Sequence, residues 1–589
     1  MALLSNTEIC INGKALHHFK KFSLHQELAA HHNLNLYCQL SNIQAFCKHL
    51  NEDIEDLLGQ VITIEISASN KTDYYGELKF KGVIIGLKIK KGLQASEGDF
   101  LIIKAQSPTI LAEDGPHYTS FNEMTFTNII DETFNNYDSS KLTVDTKNSK
   151  LNRDSITYTV QYNESCFNFA KRLAARNGEW MYYNGETLKF GINDNNEEEL
   201  TLFQGRDLLE FSTAIGPIPH NYNFYTNDYT TSEIHISKTK NISNANAGIL
   251  GAINESADEL FPNETRIWLN QSDDNNAKSR LDNNVNIQNS AIQSKQIRIS
   301  GLCDNPGIAI GRLIKINQNN YRVIKVTHNC SNHGQYENVF EAIVAGNNIY
   351  PLTNVLEYPK AESQTALVKE NHDPDGMGRV KVQFPWQEEQ GLLSPWIRSI
   401  SPSASNGQGF FFIPELGDEV LVDFEGGNAE SPYVIGGVYN AKSKPPSASS
   451  NSSNHIKMLQ TRSGCVIILD DNAGSIKLQD AAGSLILLDG EGNIVINAVE
   501  QLNIDSKAGF FNGSETVNIG SPDTTVAGDS SLWLTSDAEL KADGANAVVE
   551  AKSGKAELKG VVVEVNAATN AKINATAITE IKGAQVKLN

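Results

Sequence analysis

Histidine and cysteine side chains gather near the start of the chain, at His17, His18, His31, His32, Cys47 and His49. Such side chains bind zinc when about four of them converge on one point. The sequence contains neither an H-E-x-x-H helix motif nor carboxylates that would complete a ligand set. We therefore interpret these residues as surface or barrel-wall side chains, and we predict no metal site.

Two groups of aspartates could also do chemistry. Asp373-Pro-Asp-Gly376 suggests a calcium loop, but the ligand spacing of an EF-hand is not met, so a turn between strands is predicted. Asp470, Asp471 and Asp480 could serve a glycosidase, which needs two carboxyl groups about 5 to 9 Å apart. These aspartates look like turn residues, and no G-x-S-x-G motif is present. We predict no catalytic and no cofactor-binding residues.

Composition excludes several classes of protein. The 589 residues include 49 Lys and Arg against 70 Asp and Glu, for a net charge of −21. Binding to nucleic acid needs clustered cations, so nucleic acid is not an expected partner. No apolar run approaches the roughly 18 residues of a membrane span, and no secretory signal is visible. Seven cysteines without a C-x-x-C pair indicate buried thiols in a reducing compartment, so we expect assembly in the cytoplasm.

Residues 1–360 show mixed strands and a few helices. β-rich runs lie at Val61–Ile66, Lys79–Ile85, Phe100–Lys104 and, as a later block, Ile297–Val344. Ser165 is a plausible N-cap for a helix that continues through Arg176, and Gly178 follows its end. The segment 222–247 is rich in Asn, Thr and Ser, which predicts a loop or an edge.

A boundary near residue 360 separates this region from a compact all-β segment. Residues 361–440 contain five or six short predicted strands, among them Gly409–Ile413, and this pattern suits a small OB-fold barrel. Residues 441–455 are rich in Ser, Pro and Asn, so they form an extended or flexible linker.

Residues 456–589 repeat short alternating β units. Pairs of apolar residues recur at spacings of nine and then eight residues: Ile467 and Leu469, Ile476 and Leu478, Leu485 and Leu487, Ile494 and Ile496, and Leu502 and Ile504. Looser pairs follow, and the last is Val586 with Leu588. Turns rich in Asp, Gly and Asn separate the units.

This repeat has a physical consequence. Residues i and i+2 of a strand face the same side, so each unit offers two apolar side chains on one face. A ribbon of this width cannot bury that face alone, and no period of about 20 residues indicates a single-chain solenoid. Three identical chains wound about one axis solve the problem. The ten paired residues from Ile467 to Ile504 are then the core of a trimeric β-helical needle of about 15 layers, roughly 70 Å long.

A family resemblance rests on residues 373–386, DPDGMGRVKVQFPW. This stretch resembles the OB-fold signature of VgrG proteins, the spikes of type VI secretion systems, which are related to the hubs of contractile phage tails. The signature residues are Asp373, Pro374, Gly378, Arg379, Val380, Val382, Phe384 and Trp386. Residues 412–424 and 432–440 are similar to later strands of the same domain, and Glu164-Ser165, Arg172 and Gly178–Trp180 are similar to the hub.

The resemblance implies a mainly β fold. It consists of a tube-docking hub with two β-barrels and a helical insert, an OB-fold neck and a C-terminal triple-stranded β-helix. It also implies a homotrimer that docks on a hexameric tube protein, contacts baseplate proteins and leaves room for effector cargo. A PAAR-type tip protein would bind the open end of the needle at Val586, Leu588 and Asn589, because the last layer leaves strand edges and apolar side chains uncovered.

The function expected from these features is a non-enzymatic spike that punctures the target envelope. It would pass transiently through the target membrane and would be exported by the injection machine into the medium or the target cell. The alternative hypothesis is a trimeric β-helical tailspike that hydrolyses surface polysaccharide.

Overall fold

A computed structural model of the chain describes residues 3–50, 52–69, 75–92, 98–151, 155–192, 199–241, 249–270, 276–331, 334–346, 349–450, 452–528, 531–542 and 544–587. It divides into two compact units. The first contains the residues up to Thr461 together with Ile467–Ile476, and the second contains Arg462–Val466 and the residues from Lys477 onward.

The hub strands follow one another in chain order. They are β1 (Leu3–Ile11), β2 (Lys14–Ala15), β3 (Lys21–Glu27), β4 (Asn33–Gln39), β5 (Val61–Ala68), β6 (Leu78–Lys90), β7 (Phe100–Gln106), β8 (His117–Thr125), β9 (Val144–Asn148), β10 (Ser155–Glu164), β11 (Met181–Tyr183), β12 (Leu188–Gly191), β13 (Leu200–Leu202), β14 (Leu208–Ile215), β15 (Tyr222–Asp228), β16 (Glu233–Lys238), β17 (Thr265–Trp268), β18 (Ile297–Cys303), β19 (Leu313–Ile316), β20 (Asn319–Ser331) and β21 (Gln335–Val344). The helices are α1 (Leu40–Leu50), α2 (Phe126–Phe134), α3 (Cys166–Asn177), α4 (Ile249–Leu260) and α5 (Ala277–Ser294). No helix among the described residues has the length and apolar character of a bilayer-crossing segment.

The hub contains two barrels that share one strand pair. The first barrel follows the order β20-β3-β4-β7-β6-β5-β1-β21 and closes through pairing of β20 with β21. The second continues from the same pair, through β19 and β13 on one side and through β18 and β14 on the other. A bridge between Gln204 and Leu208 links its two ends. Because β20 and β21 belong to both barrels, each barrel fixes the orientation of the other.

Helix α3 confirms its predicted caps. The Ser165 side chain accepts a hydrogen bond from the Asn168 backbone N–H at 3.1 Å, and Gly178 ends the helix with a φ of +67°. A left-handed residue at this position satisfies terminal carbonyls, and glycine adopts that conformation without strain. The apolar stripe of α3, which includes Phe169 and Leu173, is fully buried in the first barrel's core.

The prediction of a loop or edge over 222–247 is wrong for β15, which is the central strand of a three-stranded sheet, whereas β16 lies at the edge of that sheet. Strands β15 and β16 pair antiparallel there, and β17 adds a parallel third strand. Phe224 of β15 packs with Leu281 and Val285 of α5 in a small separate core. This tertiary contact, rather than local composition, stabilises the strands. Residues 242–248 lie outside the described part of the chain.

The neck domain, residues 361–440, forms a second kind of barrel. Its strands are β22 (Gln364–Glu370), β23 (Lys381–Gln383), β24 (Ala404–Ser405), β25 (Gln408–Gly409), β26 (Glu419–Phe424) and β27 (Pro432–Gly437). The sheet order is β23-β22-β26-β27. Ile397 bridges to Val380 and Ser399 bridges to Val434, so the segment between β23 and β24 closes the barrel.

The predicted strand at Gly409–Ile413 is largely wrong. Only Gln408 and Gly409 belong to a strand there, in the two-residue pairing of β25 with β24. Phe410, Phe411 and Phe412 follow without an assigned strand, and their side chains are exposed. Three consecutive large apolar residues cannot alternate between a core face and a solvent face, which explains why the barrel does not absorb them.

The repeat region begins with regular strands. They are β28 (Ile456–Gln460), β29 (Val466–Asp470), β30 (Ser475–Gln479), β31 (Leu485–Leu488) and β32 (Ile494–Asn497). The paired residues Ile467 and Leu469 of β29, and Ile476 and Leu478 of β30, stand on the more exposed face of their strands. The described residues after Asn497, including Leu502 and Ile504, carry no assigned strand in the single chain.

The register of β31 with β32 places the predicted core residues of these two strands on different faces of the sheet. Leu488 lies opposite Ile494 and Ile486 lies opposite Ile496. Directly opposed residues share one face of a sheet, so Leu485 and Leu487 lie on the other face. The ten-residue needle core itself remains a prediction, because it concerns contacts between chains.

A chain of buried polar side chains runs between the two hub barrels. Gln26 Nε2 donates to His32 Nδ1 at 3.0 Å, and His328 Nε2 donates to Gln26 Oε1 at 3.0 Å. Tyr336 Oη donates to His328 Nδ1 at 2.6 Å and accepts from Asn338 Nδ2 at 3.1 Å. The Nδ1 atom of each imidazole therefore accepts a hydrogen bond. An accepting nitrogen carries no proton, so both histidines are neutral. Burial lowers the pKa of His32 and of His328 to about 3.

This network predicts acid sensitivity of the hub. Between about pH 6.5 and pH 3, the unfolded histidines bind protons that the folded ones do not, so stability falls as the pH falls through that window. We expect His328→Gln to reduce the proton uptake on unfolding at pH 5 by about one. Urea midpoints measured from pH 7 to pH 4 give this value. The exposed His17→Gln is the control and should leave the slope unchanged; an unchanged slope in His328→Gln would contradict the assignment.

Candidate functional site: the neck domain and its junction with the hub

The signature turn of the neck is built around one carboxylate. Asp373 Oδ2 accepts hydrogen bonds from the backbone N–H groups of Met377 at 3.0 Å and Arg379 at 3.1 Å. The Arg379 guanidinium adds Nε to Oδ2 at 2.9 Å and a terminal nitrogen to Oδ1 at 2.7 Å. This pairing, together with the backbone donors, lowers the pKa of Asp373 to about 2. Gly376 and Gly378, with φ near +70°, allow the chain to fold around the carboxylate.

These contacts decide between the two interpretations of the turn. The oxygens of Asp373 are occupied by N–H donors, so the aspartate is a structural acceptor, as a turn requires, and not a calcium ligand. The Arg379 side chain is 7% exposed and lies against Asp373. A guanidinium satisfied by a bidentate carboxylate can be buried at the end of a strand.

The apolar signature residues form the neck core. Val380, Val382 and Phe384 are buried, and Phe384 stacks on Trp386 with ring centroids 5.3 Å apart. Trp386 Nε1 donates to Gln364 Oε1 at 2.9 Å. The indole also lies 6.3 Å from the ring of Tyr118 in the hub. Trp386 therefore links the neck core to the hub surface.

A buried charge cluster fixes the neck on the hub. Glu430 of the neck accepts from Thr159 Oγ1 at 2.7 Å and from Arg172 at 3.4 Å, and it forms an ion pair with Arg176. The other side of Arg172 binds Glu164 through two hydrogen bonds of 2.8 and 2.9 Å. Burial, with repulsion from Arg172 and Arg280, lowers the pKa of Arg176.

Sequence reasoning did not find this cluster. Arg172 and Arg176 are four residues apart on α3, so they share one face of the helix. This spacing is the only local signal. Their carboxylate partner lies more than 250 residues further along the chain, and no pattern in the sequence connects the two.

The other predicted site residues lie apart. Among the described residues, no three His, Cys, Asp or Glu side chains converge as a metal-ligand group. His32 is buried in the polar network, His31 contacts Thr109 and Glu113, and Cys47 is buried in α1. Val586 is about half exposed, and Leu588 and Asn589 lie outside the described residues.

The three aspartates weighed for glycoside hydrolysis are engaged locally. Asp470 Oδ1 accepts from the backbone of Asn472 at 2.9 Å, and Asp480 Oδ1 accepts from Gly483 at 2.8 Å. Asp471 pairs with Lys457 at 2.6 Å, which lowers the pKa of the aspartate. Each carboxylate serves a turn or an ion pair, so none of these contacts favours a hydrolase.

The fold and the junction together define a baseplate hub joined to an injector-type OB barrel. Residues 38–334 match the family described as phage tail baseplate hub (GPD). Residues 364–439 match the family described as type VI secretion system/phage-baseplate injector OB domain. The chain belongs to the phage tail baseplate hub family and, within it, to the VgrG spike proteins.

Three known proteins illustrate the similarity. The type VI secretion system spike protein VgrG4b of Pseudomonas aeruginosa is 46% identical over 101 residues, which is 15% of this chain and 12% of that protein. VgrG1c of the same organism is 25% identical over 333 residues, or 49% of this chain and 43% of that protein. The lidded Francisella PdpA-VgrG complex has a TM-score of 0.52 at 11% identity, covering 84% of this chain and 80% of that chain.

These relatives limit what similarity alone establishes. The chain spans less than half the length of the curated relatives it matches. At 11% identity, the likeness to the solved complex concerns the fold. The two Pseudomonas relatives are named as type VI secretion system spike proteins.

The junction yields a direct test. Glu430→Gln removes the counter-charge of the half-buried Arg176 and one of the two carboxylates beside the buried Arg172, so we expect a loss of about 3 kcal/mol in the free energy of unfolding. The control is Glu425→Gln. Glu425 pairs with Arg398 at the surface, where such a pair contributes about 0 to 1 kcal/mol. Urea unfolding followed by tryptophan fluorescence compares the variants. Equal effects of the two substitutions would contradict the role of Glu430.

Proposed function

We propose that the chain is the non-enzymatic, homotrimeric spike of a type VI secretion apparatus. The single observation that carries the proposal is the uncovered apolar face of the C-terminal strands, joined in one chain to a hub and an injector OB domain. Ile476 and Leu478 are 39% and 40% exposed, and Ile494 and Ile496 are 68% and 52% exposed. Apolar faces of this size mark surfaces that another chain covers.

The geometry of the hub supports docking on a hexameric tube. Each chain contributes two barrels that share β20 and β21. Three copies would present six barrels around one axis, which suits a sixfold partner. Baseplate proteins and effector cargo are further partners in this proposal. The spike would be assembled in the cytoplasm and exported by the machine.

The repeat region would form the triple-stranded needle that the sequence predicts. Its inward faces would meet at the threefold axis, and strands that lack partners in the single chain would gain them from neighbouring copies. The needle would carry a PAAR-type tip protein on its last layer and puncture the target envelope. Force would come from the contraction of the machine, which the needle transmits through its stiffness.

Strand β30 offers a matched test of the needle. Ile476→Ser removes an inward apolar side chain, and we expect the trimer to lose about 3 kcal/mol per chain. The neighbouring Lys477→Ser changes the outer face and should have little effect. Dissociation in urea, followed by analytical ultracentrifugation, measures both. If the two variants dissociate at the same urea concentration as the unaltered chain, the needle core is wrongly assigned.

The tip proposal has a separate test. Removal of residues 583–589 should abolish co-purification with a PAAR-type tip protein, because the last layer and its open edge are lost. Lys587→Ala, which keeps Val586, is the control and should retain the tip. Undiminished capture by the shortened chain would show that the tip binds elsewhere.

A further inference from the structure

The neck domain carries an arm that its own chain does not cover. The arm is defined here as residues 401–413, which contain the hairpin of β24 and β25. Residues 402–412 are all exposed, and the two strands of the hairpin pair with each other alone. An isolated two-stranded hairpin is marginally stable in water, so a surface that supports this arm is expected outside it.

The exposed residues of the arm are strongly apolar. Phe410, Phe411 and Phe412 are 56%, 78% and 61% exposed. Near the base of the arm, Phe411 and Ile413 approach Gly378, where a Cβ atom would lie 3.4 and 3.2 Å from them. The base is thus seated on the signature turn, while the three rings remain largely in solvent. Burial of such rings against another surface would stabilise the arm.

The absence of charged residues from the arm indicates which kind of surface covers it. Residues 399–414 include no Asp, Glu, Lys or Arg, although charged residues make up 20% of the chain. Copies of a chain with a net charge of −21 repel one another, and the repulsion is weakest where uncharged surfaces meet. The centres of protein interfaces are likewise depleted of charge and enriched in aromatic residues.

The position of the linker also favours a second copy of the chain as the surface that covers the arm. The 15-residue linker 441–455 joins the neck to the repeat region, and a flexible linker of this length spans about 20 Å on average. If three repeat regions wind together, three neck domains are held within this distance of a common axis. Their effective concentration is then high, so even a small apolar contact between them would be occupied.

We propose that the arm of one copy docks on the neck domain of a neighbouring copy and buries Phe410, Phe411 and Phe412 there. This inference rests on the proposed trimer. It assigns the arm a function that the barrel itself does not require, namely to lock the three neck domains together above the linker.

Site-specific photo-crosslinking of the full chain tests this proposal. A benzophenone amino acid replaces Phe411 in one sample and Leu367, which is 39% exposed on β22, in the control. We expect covalent dimers and trimers from position 411, at least fivefold more abundant than from position 367. Equal or absent products from position 411, in a sample whose mass by light scattering is that of a trimer, would overturn the arm proposal and leave the trimer intact. A monomer mass would instead refute the trimer.

A second variant tests whether the phenylalanine rings themselves are buried between copies. Phe410→Ser with Phe412→Ser alters side chains that are already exposed in the single chain, so the neck should still fold. With the probe retained at 411, we expect the yield of covalent products to fall at least fivefold while the mass stays that of the trimer. An unchanged yield would contradict burial of these rings between copies.

Discussion

Uncovered apolar side chains on thin C-terminal strands are the constraint on which the rest of the molecule depends. Strands of four or five residues separated by tight turns offer too little width to bury their own apolar face. The apolar residues on that face are therefore exposed in the single chain. Exposure on this scale disfavours a solitary state in water, and winding with identical copies removes it by the shortest route.

In the hub and the neck, by contrast, the single chain covers the apolar side chains of its own cores. Their apolar residues form closed cores inside barrels, and buried polar side chains such as Gln26 and His328 hydrogen-bond to one another. The Glu430 cluster extends this order across the junction, because a carboxylate of the neck neutralises arginines that α3 of the hub buries.

The sequence predicted those features that arise from local rules. Helix α3 could be predicted from the cap at Ser165, the apolar stripe and Gly178, and strands β5, β6 and β7 of the first barrel could be predicted from their β-rich runs. The apolar residues of the neck signature, such as Val380 and Val382, also fell in the core. In each case neighbours along the chain carry the information.

Features that depend on distant contacts were missed or misjudged. Strand β15 is stabilised by α5, about 55 residues further along, and its polar composition concealed it. The burial of Arg379 depends on the geometry of a turn, and the Glu430 cluster depends on a partner in another domain. The three phenylalanines of the arm suggested a strand, although alternation fails there. The register of β31 with β32 is set by turn geometry that a nine-residue spacing does not specify.

The mass of the purified full-length chain in solution tests the central claim most directly. Light scattering over a hundredfold dilution should give about 194 kDa, three times the 64.6 kDa of one chain. A stable, folded species of 64.6 kDa throughout that range would contradict the account, because the apolar strand faces would then have no cover.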